Sequence, residues 1–118
     1  MNEIPLVDWS QLDAIADGWN EEFMEIYHEF LTDVPKDLEE LNAAISRGDL
    51  ESIAKVAHRT KGCVANFGFE RIRNAVLTME QNAKSGQISE AAELLQQAKE
   101  AFEAAASEVE QKRANQSD

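Results

Sequence analysis

Apolar residues recur along this chain at intervals of three and four, the spacing that lays one face of an α-helix against a core. Phe23, Ile26, Tyr27, Phe30, Leu31 and Val34 form one such stripe, and Leu38, Leu41, Ala44 and Ile45 carry it on to Gly48. Asn20 is placed to cap this helix, and Glu21 and Glu22 suit the positive end of its dipole. Pro35 lacks an amide hydrogen and crowds the preceding turn, so the helix from Asn20 to Arg47 either kinks or restarts there. A shorter helix is expected from Ser10 to Ala16, with Trp9, Leu12 and Ile15 on one side and a stop near Gly18. Asp49 caps a third helix, which Gly68 ends in the left-handed conformation that glycine adopts readily. A fourth runs from Phe69 to Ser85 with Ile72, Val76, Met79 and Ala83 inward and Gly86 as its stop. Ser89 begins a fifth, with Ala92, Leu95, Ala98, Phe102, Ala105 and Val109 inward. The closing QKRANQSD has nothing to bury and is expected to fray.

No run alternates Val, Ile or Thr with polar residues, so no strand is predicted. Four long helices joined by short loops bury their stripes most simply as an antiparallel bundle. The expected fold is therefore all-α: an antiparallel four-helix bundle with an additional short N-terminal helix as a lid. The domain spans 1–113, with 114–118 as a frayed tail.

Composition narrows the function. The 118 residues hold 11 Lys plus Arg against 23 Asp plus Glu, a net charge of -12. Bulk nucleic acid and anionic membranes would be repelled by that charge. One cysteine, Cys63, excludes an internal disulfide and a multi-cysteine metal site. The start, MNEIPLVDWS, has neither the basic head nor the apolar stretch of a signal peptide, and a cytoplasmic location is expected. The charge is uneven: residues 1–46 carry -11, residues 47–84 carry +3 and residues 85–118 carry -4. A basic island in so acidic a chain suggests an anionic partner for the island, although charge blocks are often only solvated faces.

Of the two histidines, His28 sits in EIYH, half of the Glu-x-x-His pattern of di-iron bundles. The only other histidine, His58, has Lys55 at the required glutamate position, so that metal site cannot be assembled. His58 reads differently. On a helical projection centred on Ile53, Val56, Ala57, Thr60, Val64 and Phe67 fall toward the core, while His58 lies about 140° away, toward water. Glu51, Lys55 and Gly62 share its side, and Ala54 and Ala65 flank it. Gly62 falls mid-helix, where glycine costs about 1 kcal/mol relative to alanine. Close approach by another molecule explains it better than a helix stop, since apolar-periodic residues follow. Lys61, three residues on, is a cation on the same surface. It would favour the neutral ring and attract an anion placed on it. A lone surface histidine is the ordinary reading; the glycine, the lysine and the cleared flank favour a nucleophile that holds a phosphoryl group.

The run AHRTKG, followed by CVANFG, resembles the Ala-His-x-Leu-Lys-Gly pattern of histidine-containing phosphotransfer (HPt) domains of bacterial multistep phosphorelays. FLTDVPKDLEELNAAISRGD resembles that family's preceding helix, and LTMEQNAKSGQ its following Leu-x-x-x-Glu segment. Thr60 departs from the family's leucine. The resemblance implies that His58 is phosphorylated on Nε2, that Lys61 helps neutralise the phosphoryl group and that Gly62 leaves room for a receiver domain. It places Glu80 where the family often has Glu or Gln, to accept the Nδ1 proton, with Lys84 one turn on along the same flank. Arg59, Arg73 and Lys84 are candidates for a basic collar around a partner's acidic pocket, and Lys55, Ala54 and Ala65 for its contact surface.

The implied partners are receiver domains of a hybrid histidine kinase and of a response regulator. The implied carrier is monomeric, without a cofactor of its own, and Mg²⁺ is supplied by the receiver. No Gly-rich phosphate loop or metal-binding carboxylate pair appears, so kinase activity is not expected. The other readings are an HPt-like adaptor that takes no phosphate and an unrelated metal-binding bundle enzyme. Trp9, Leu12 and Leu77 are candidates for exposed apolar docking residues.

Overall fold

The computed structural model describes residues 4–116, and within them five helices and no strand. They are α1 (Trp9–Ala16), α2 (Glu21–Arg47), α3 (Leu50–Asn66), α4 (Glu70–Lys84) and α5 (Ala91–Gln116). The caps act as expected. Asn20 Oδ1 accepts from Phe23 N at 2.8 Å, and Asp49 Oδ1 accepts from Ser52 N at 3.1 Å. At the other end of α2 the left-handed Gly48 turns its N–H back onto the carbonyls of Ala44 and Ile45. α2 runs unbroken through Pro35. Proline has no N–H to give the ladder, but Val34 and Leu38 on either side are buried and hold the helix to the core.

The four long helices form a ring in which α2 packs on α3, α3 on α4, α4 on α5 and α5 back on α2. Short turns make successive helices antiparallel. Phe30 of α2 joins three of the walls near one end: its ring stacks on Phe67 at 4.1 Å and meets Phe69 and Phe102 edge-on at 5.0 and 5.7 Å. Aromatic pairs at these spacings add to the burial free energy of the rings themselves. α1 closes that end as the expected lid, with Leu12 and Ala16 fully buried beneath it. The segment before it is pinned to the α3–α4 turn by a pair of backbone bonds, Asp8 N to Gly68 O at 2.6 Å and Glu70 N to Leu6 O at 3.1 Å.

Several single-residue expectations change. Ile26 of the predicted α2 stripe is 50 % exposed, because Phe23, Tyr27 and Phe30 fill that part of the core. α5 starts at Ala91, with Ser89 in the preceding turn, and it is Ala91 rather than Ala92 that is buried. The closing QKRANQSD, expected to fray, is helical as far as Gln116; residues 117 and 118 lie outside the described residues. The last turns have anchors that the helix's own pattern does not reveal. Lys112 lies 3.9 Å over the Trp9 ring, and Arg113 faces Trp19 and pairs with Glu110 at 3.2 Å. Leu12 is core, and the Trp9 indole donates to Glu108 at 3.1 Å, so neither is a free docking residue. Leu77 is partly exposed. No helix among the described residues is long and apolar enough to cross a membrane.

Candidate functional site: an exposed imidazole on a buried carboxylate

The antiparallel pairing of α3 and α4 sets the site. α3 buries Ile53, Val56, Ala57, Thr60 and Val64, which turns His58 outward on the flank nearest α4. Thr60 is fully buried, and its hydroxyl donates to Val56 O at 2.8 Å within the same helix. That internal bond satisfies the polar atom, which is how threonine occupies a core position without an unpaired group. α4 buries Met79 and Ala83, and Glu80 between them is only 3 % exposed.

Glu80 collects three nitrogens. Its Oε1 accepts from Lys61 Nζ at 2.8 Å; its Oε2 lies 2.8 Å from His58 Nδ1 and accepts from Lys84 Nζ at 3.0 Å. Burial alone would push this carboxyl toward its neutral form. The bonds from Lys61, Lys84 and His58 outweigh burial and hold it down at about 2. An ionised carboxylate has no hydrogen to give, so Nδ1 is the donor, and in the neutral ring the lone pair then falls on Nε2, on the far side. Among the described residues nothing bonds to Nε2, and the His58 side chain is 66 % exposed. A shallow hollow of about 400 Å³ opens beside it, lined by Glu51, Ala54, Lys55, His58, Glu80 and Lys84.

Lys61 thus touches the carboxylate that holds the ring, a contact that its position on α3 alone does not disclose. Gly62 is exposed, and a Cβ built on it would meet nothing within 4 Å, so no packing inside the chain requires a glycine there. Gly62→Ala is accordingly expected to raise the stability of the fold by about 1 kcal/mol, read as a higher denaturation midpoint in urea.

The basic collar does not assemble as drawn. Arg59 turns away from His58 onto α2, with Nη2 2.7 Å from Asp37 Oδ1 and 3.1 Å from Glu40 Oε1. Arg73 pairs with Glu70 of its own helix at 3.7 Å. Lys55 is exposed at the hollow, and Ala54 and Ala65 are half-buried flanks. The residues that sequence reasoning did not single out are Asp37 and Glu40. They reach Arg59 through the α2–α3 pairing, and the only signal for it is the acidic outer face of α2. His28 is exposed on α2, with its backbone carbonyl accepting from Thr32 Oγ1. No group of three or more His, Cys, Asp or Glu side chains among the described residues is placed to hold a metal ion. A separate groove of about 380 Å³ between α4 and α5, lined by Leu6, Asn74, Glu100, Ala101 and Ala104 among others, has no Ser, Thr, Cys, His or Lys in its lining.

The sequence profile of the Hpt domain matches residues 25–111, which include α3 and α4 whole, most of α2 and α5, and every group around Glu80. The chain belongs to the Hpt domain family. It is an all-α histidine phosphotransfer protein of phosphorelays, and Hpt proteins are phosphocarriers rather than enzymes. Among solved structures, the crystal structure of histidine-containing phosphotransfer protein B from Pseudomonas aeruginosa PAO1 superposes with a TM-score of 0.86 at 24% identity, covering 94% of this chain and 96% of that one. The comparison with curated proteins finds no match. For this Hpt chain, shared backbone therefore extends across the whole bundle while most side chains differ.

Proposed function

We propose that His58 accepts a phosphoryl group on Nε2 from the aspartate of a receiver domain of a hybrid histidine kinase and passes it to the aspartate of a response regulator. The observation that carries this reading is the pairing of an exposed imidazole with a buried, ionised carboxylate through Nδ1, which aims the Nε2 lone pair at solvent. Lys61 and Lys84 place two ammonium groups around the same carboxylate, close enough to offset charge brought to the ring. Transfer of this kind depends mainly on positioning and on charge neutralisation. The receiver supplies Mg²⁺ and the aspartate; this chain supplies the nucleophile. Gly62, Ala54 and Ala65 leave the approach to His58 low, and Lys55 adds a cation at the rim of the hollow. The carrier works as a monomer in the cytoplasm, without a cofactor of its own.

Incubation with a receiver domain carrying labelled aspartyl phosphate is expected to transfer label to the chain. The product should be labile in acid and stable in alkali, as a phosphoramidate is, and label should move on when a second receiver is added. Gly62→Leu, which raises a side chain on the approach, should slow transfer while leaving the chain folded. No labelling from any receiver of the same organism would overturn the proposal and leave an adaptor that docks receivers without taking phosphate.

A further inference from the structure

We infer that the seam between α2 and α3 is a second docking element: a cationic groove that takes carboxylate side chains from the receiver engaged at His58. The inference rests on His58 being the phosphoacceptor and goes beyond it, to the surface that a partner must present beside its own active site.

The groove encloses about 260 Å³. Arg47 at the end of α2 and Lys55 and Arg59 on α3 line it, against a single lining carboxylate, Glu40. Ala43, Ala44 and Val56 are short, and leave room between the cations for the methylenes of an Asp or Glu side chain. Lys55 also lines the hollow beside His58, so the two depressions share a wall. It precedes His58 by three residues, about 4.5 Å along the helix axis. A specific interface covers about 800 Å² of each partner, so a receiver centred on His58 overlies the groove as well.

The three cations are held differently, and each difference suits docking. Arg59 Nη2 lies 2.7 Å from Asp37 Oδ1 and 3.1 Å from Glu40 Oε1, which orders the guanidinium before a partner arrives. A side chain already ordered loses little freedom on binding. Arg47 reaches Asp49 only at 3.6 Å, and both side chains are exposed. Such a contact is weak enough to exchange for a partner's carboxylate. Lys55 is exposed and has no ion-pair partner among the described residues. It supplies the unopposed charge.

The rest of the chain gives the groove its direction. Residues 1–46 hold one basic residue against 12 acids, and the whole chain carries -12. An acidic edge is therefore repelled from the outer face of α2 and drawn to the cations beside His58. A receiver with Asp or Glu at that edge is steered into register, whereas one with Lys there meets like charge. A second copy of this chain fits less well, because two molecules of -12 repel each other as wholes.

The test times transfer of label from phosphorylated receivers of the same organism to the full chain, across receiver concentration and salt. For a receiver that labels the wild type, Arg47→Glu is expected to raise the half-saturating concentration about threefold, and Arg47→Glu with Lys55→Glu about tenfold. The maximal rate should stay the same, since neither side chain touches the ring, and the weakening by salt seen with the wild type should disappear. Lys99→Glu makes the same charge change as Arg47→Glu on α5, which packs on α2 and α4, and should alter neither quantity. If Arg47→Glu fails to fold by its helical circular dichroism, Arg47→Gln removes the charge without adding another and decides the comparison. Half-saturation unchanged by the Arg47 substitution, or matched by Lys99→Glu, overturns the inference and leaves the proposed function standing. An effect confined to self-association in sedimentation assigns the groove to a second copy and overturns it too. A wild-type chain that takes no label on His58 sinks the proposed function, and this inference with it.

Discussion

His58→Gln is expected to take no label from a phosphorylated receiver above background, while keeping the fold and its melting temperature. The two halves of that expectation have separate causes. Glutamine offers no nucleophilic nitrogen, because its amide lone pair is delocalised into the carbonyl, so no N–P bond can form. Its amide N–H₂ can still donate to Glu80 Oε2, which keeps a donor on a carboxylate that is only 3 % exposed. Lys61 and Lys84 remain in place as well. Loss of transfer without loss of stability is therefore the result that separates a chemical role from a structural one. The companion His28→Gln is expected to label as the wild type does. His28 is the only other imidazole in the chain, it is exposed, and no carboxylate among the described residues holds it. Label retained by His58→Gln and lost from His28→Gln would refute the assignment of His58.

The largest effect on stability is expected from Gly68→Ala, at about 2–4 kcal/mol. Gly68 sits at φ +72°, where a side chain is strained whatever the space around it, and a Cβ there would lie 2.7 Å from the backbone carbonyl oxygen of Asp8. That carbonyl cannot swing aside cheaply. Asp8 N bonds Gly68 O and Leu6 O bonds Glu70 N, so moving it loosens both ties between the N-terminal segment and the α3–α4 turn. Gly86→Ala is the control. Gly86 has a similar φ of +80° with nothing within 4 Å of its Cβ, so only the strain of the left-handed conformation applies, about 1–2 kcal/mol. Urea denaturation of the two variants should show the larger midpoint shift for Gly68→Ala with an unchanged slope. Equal shifts would mean that the close approach of Asp8 carries no energetic weight. Below its midpoint Gly68→Ala should still accept phosphate, since His58 lies ten residues up α3 from this turn.

Much of this protein is legible in one dimension because its elements are local. A helical stripe, an Asn or Asp before it and a Gly after it are all set within one or two turns of chain. The caps at Asn20 and Asp49 and the left-handed Gly48, Gly68 and Gly86 accordingly sit where the pattern places them. The same argument turns His58 outward and Thr60 inward on α3. It fails where two helices compete for one volume. Ile26 has the right spacing for the core and loses its place to larger aromatic neighbours, and Ala91 displaces Ala92 by a single residue.

Charges are harder to read than apolar stripes, because a long side chain reaches across a helix boundary. Arg59 stands beside His58 in the chain and would serve a collar if α3 stood alone; packing against α2 gives it Asp37 and Glu40 instead. Lys112 and Arg113 look like the start of a frayed end, and they become anchors because Trp9 and Trp19 arrive from the other terminus. Glu80 is the most consequential case. Helical projection puts it beside the core stripe of α4, and resemblance to the HPt pattern suggests its partner, but 22 residues of chain separate it from His58.

The sequence by itself determined five helices, the ends of α2 and α3, the fold class, and one exposed histidine with a lysine and a glycine on its own helix, since each of these depends on residues within a few turns of one another. The tertiary structure alone decided that the lysines meet on a buried carboxylate, that this carboxylate holds Nδ1, and that Arg59 is spent elsewhere. Those outcomes depend on the register between antiparallel helices, which is set by how whole faces interlock and is written at no single position in the chain.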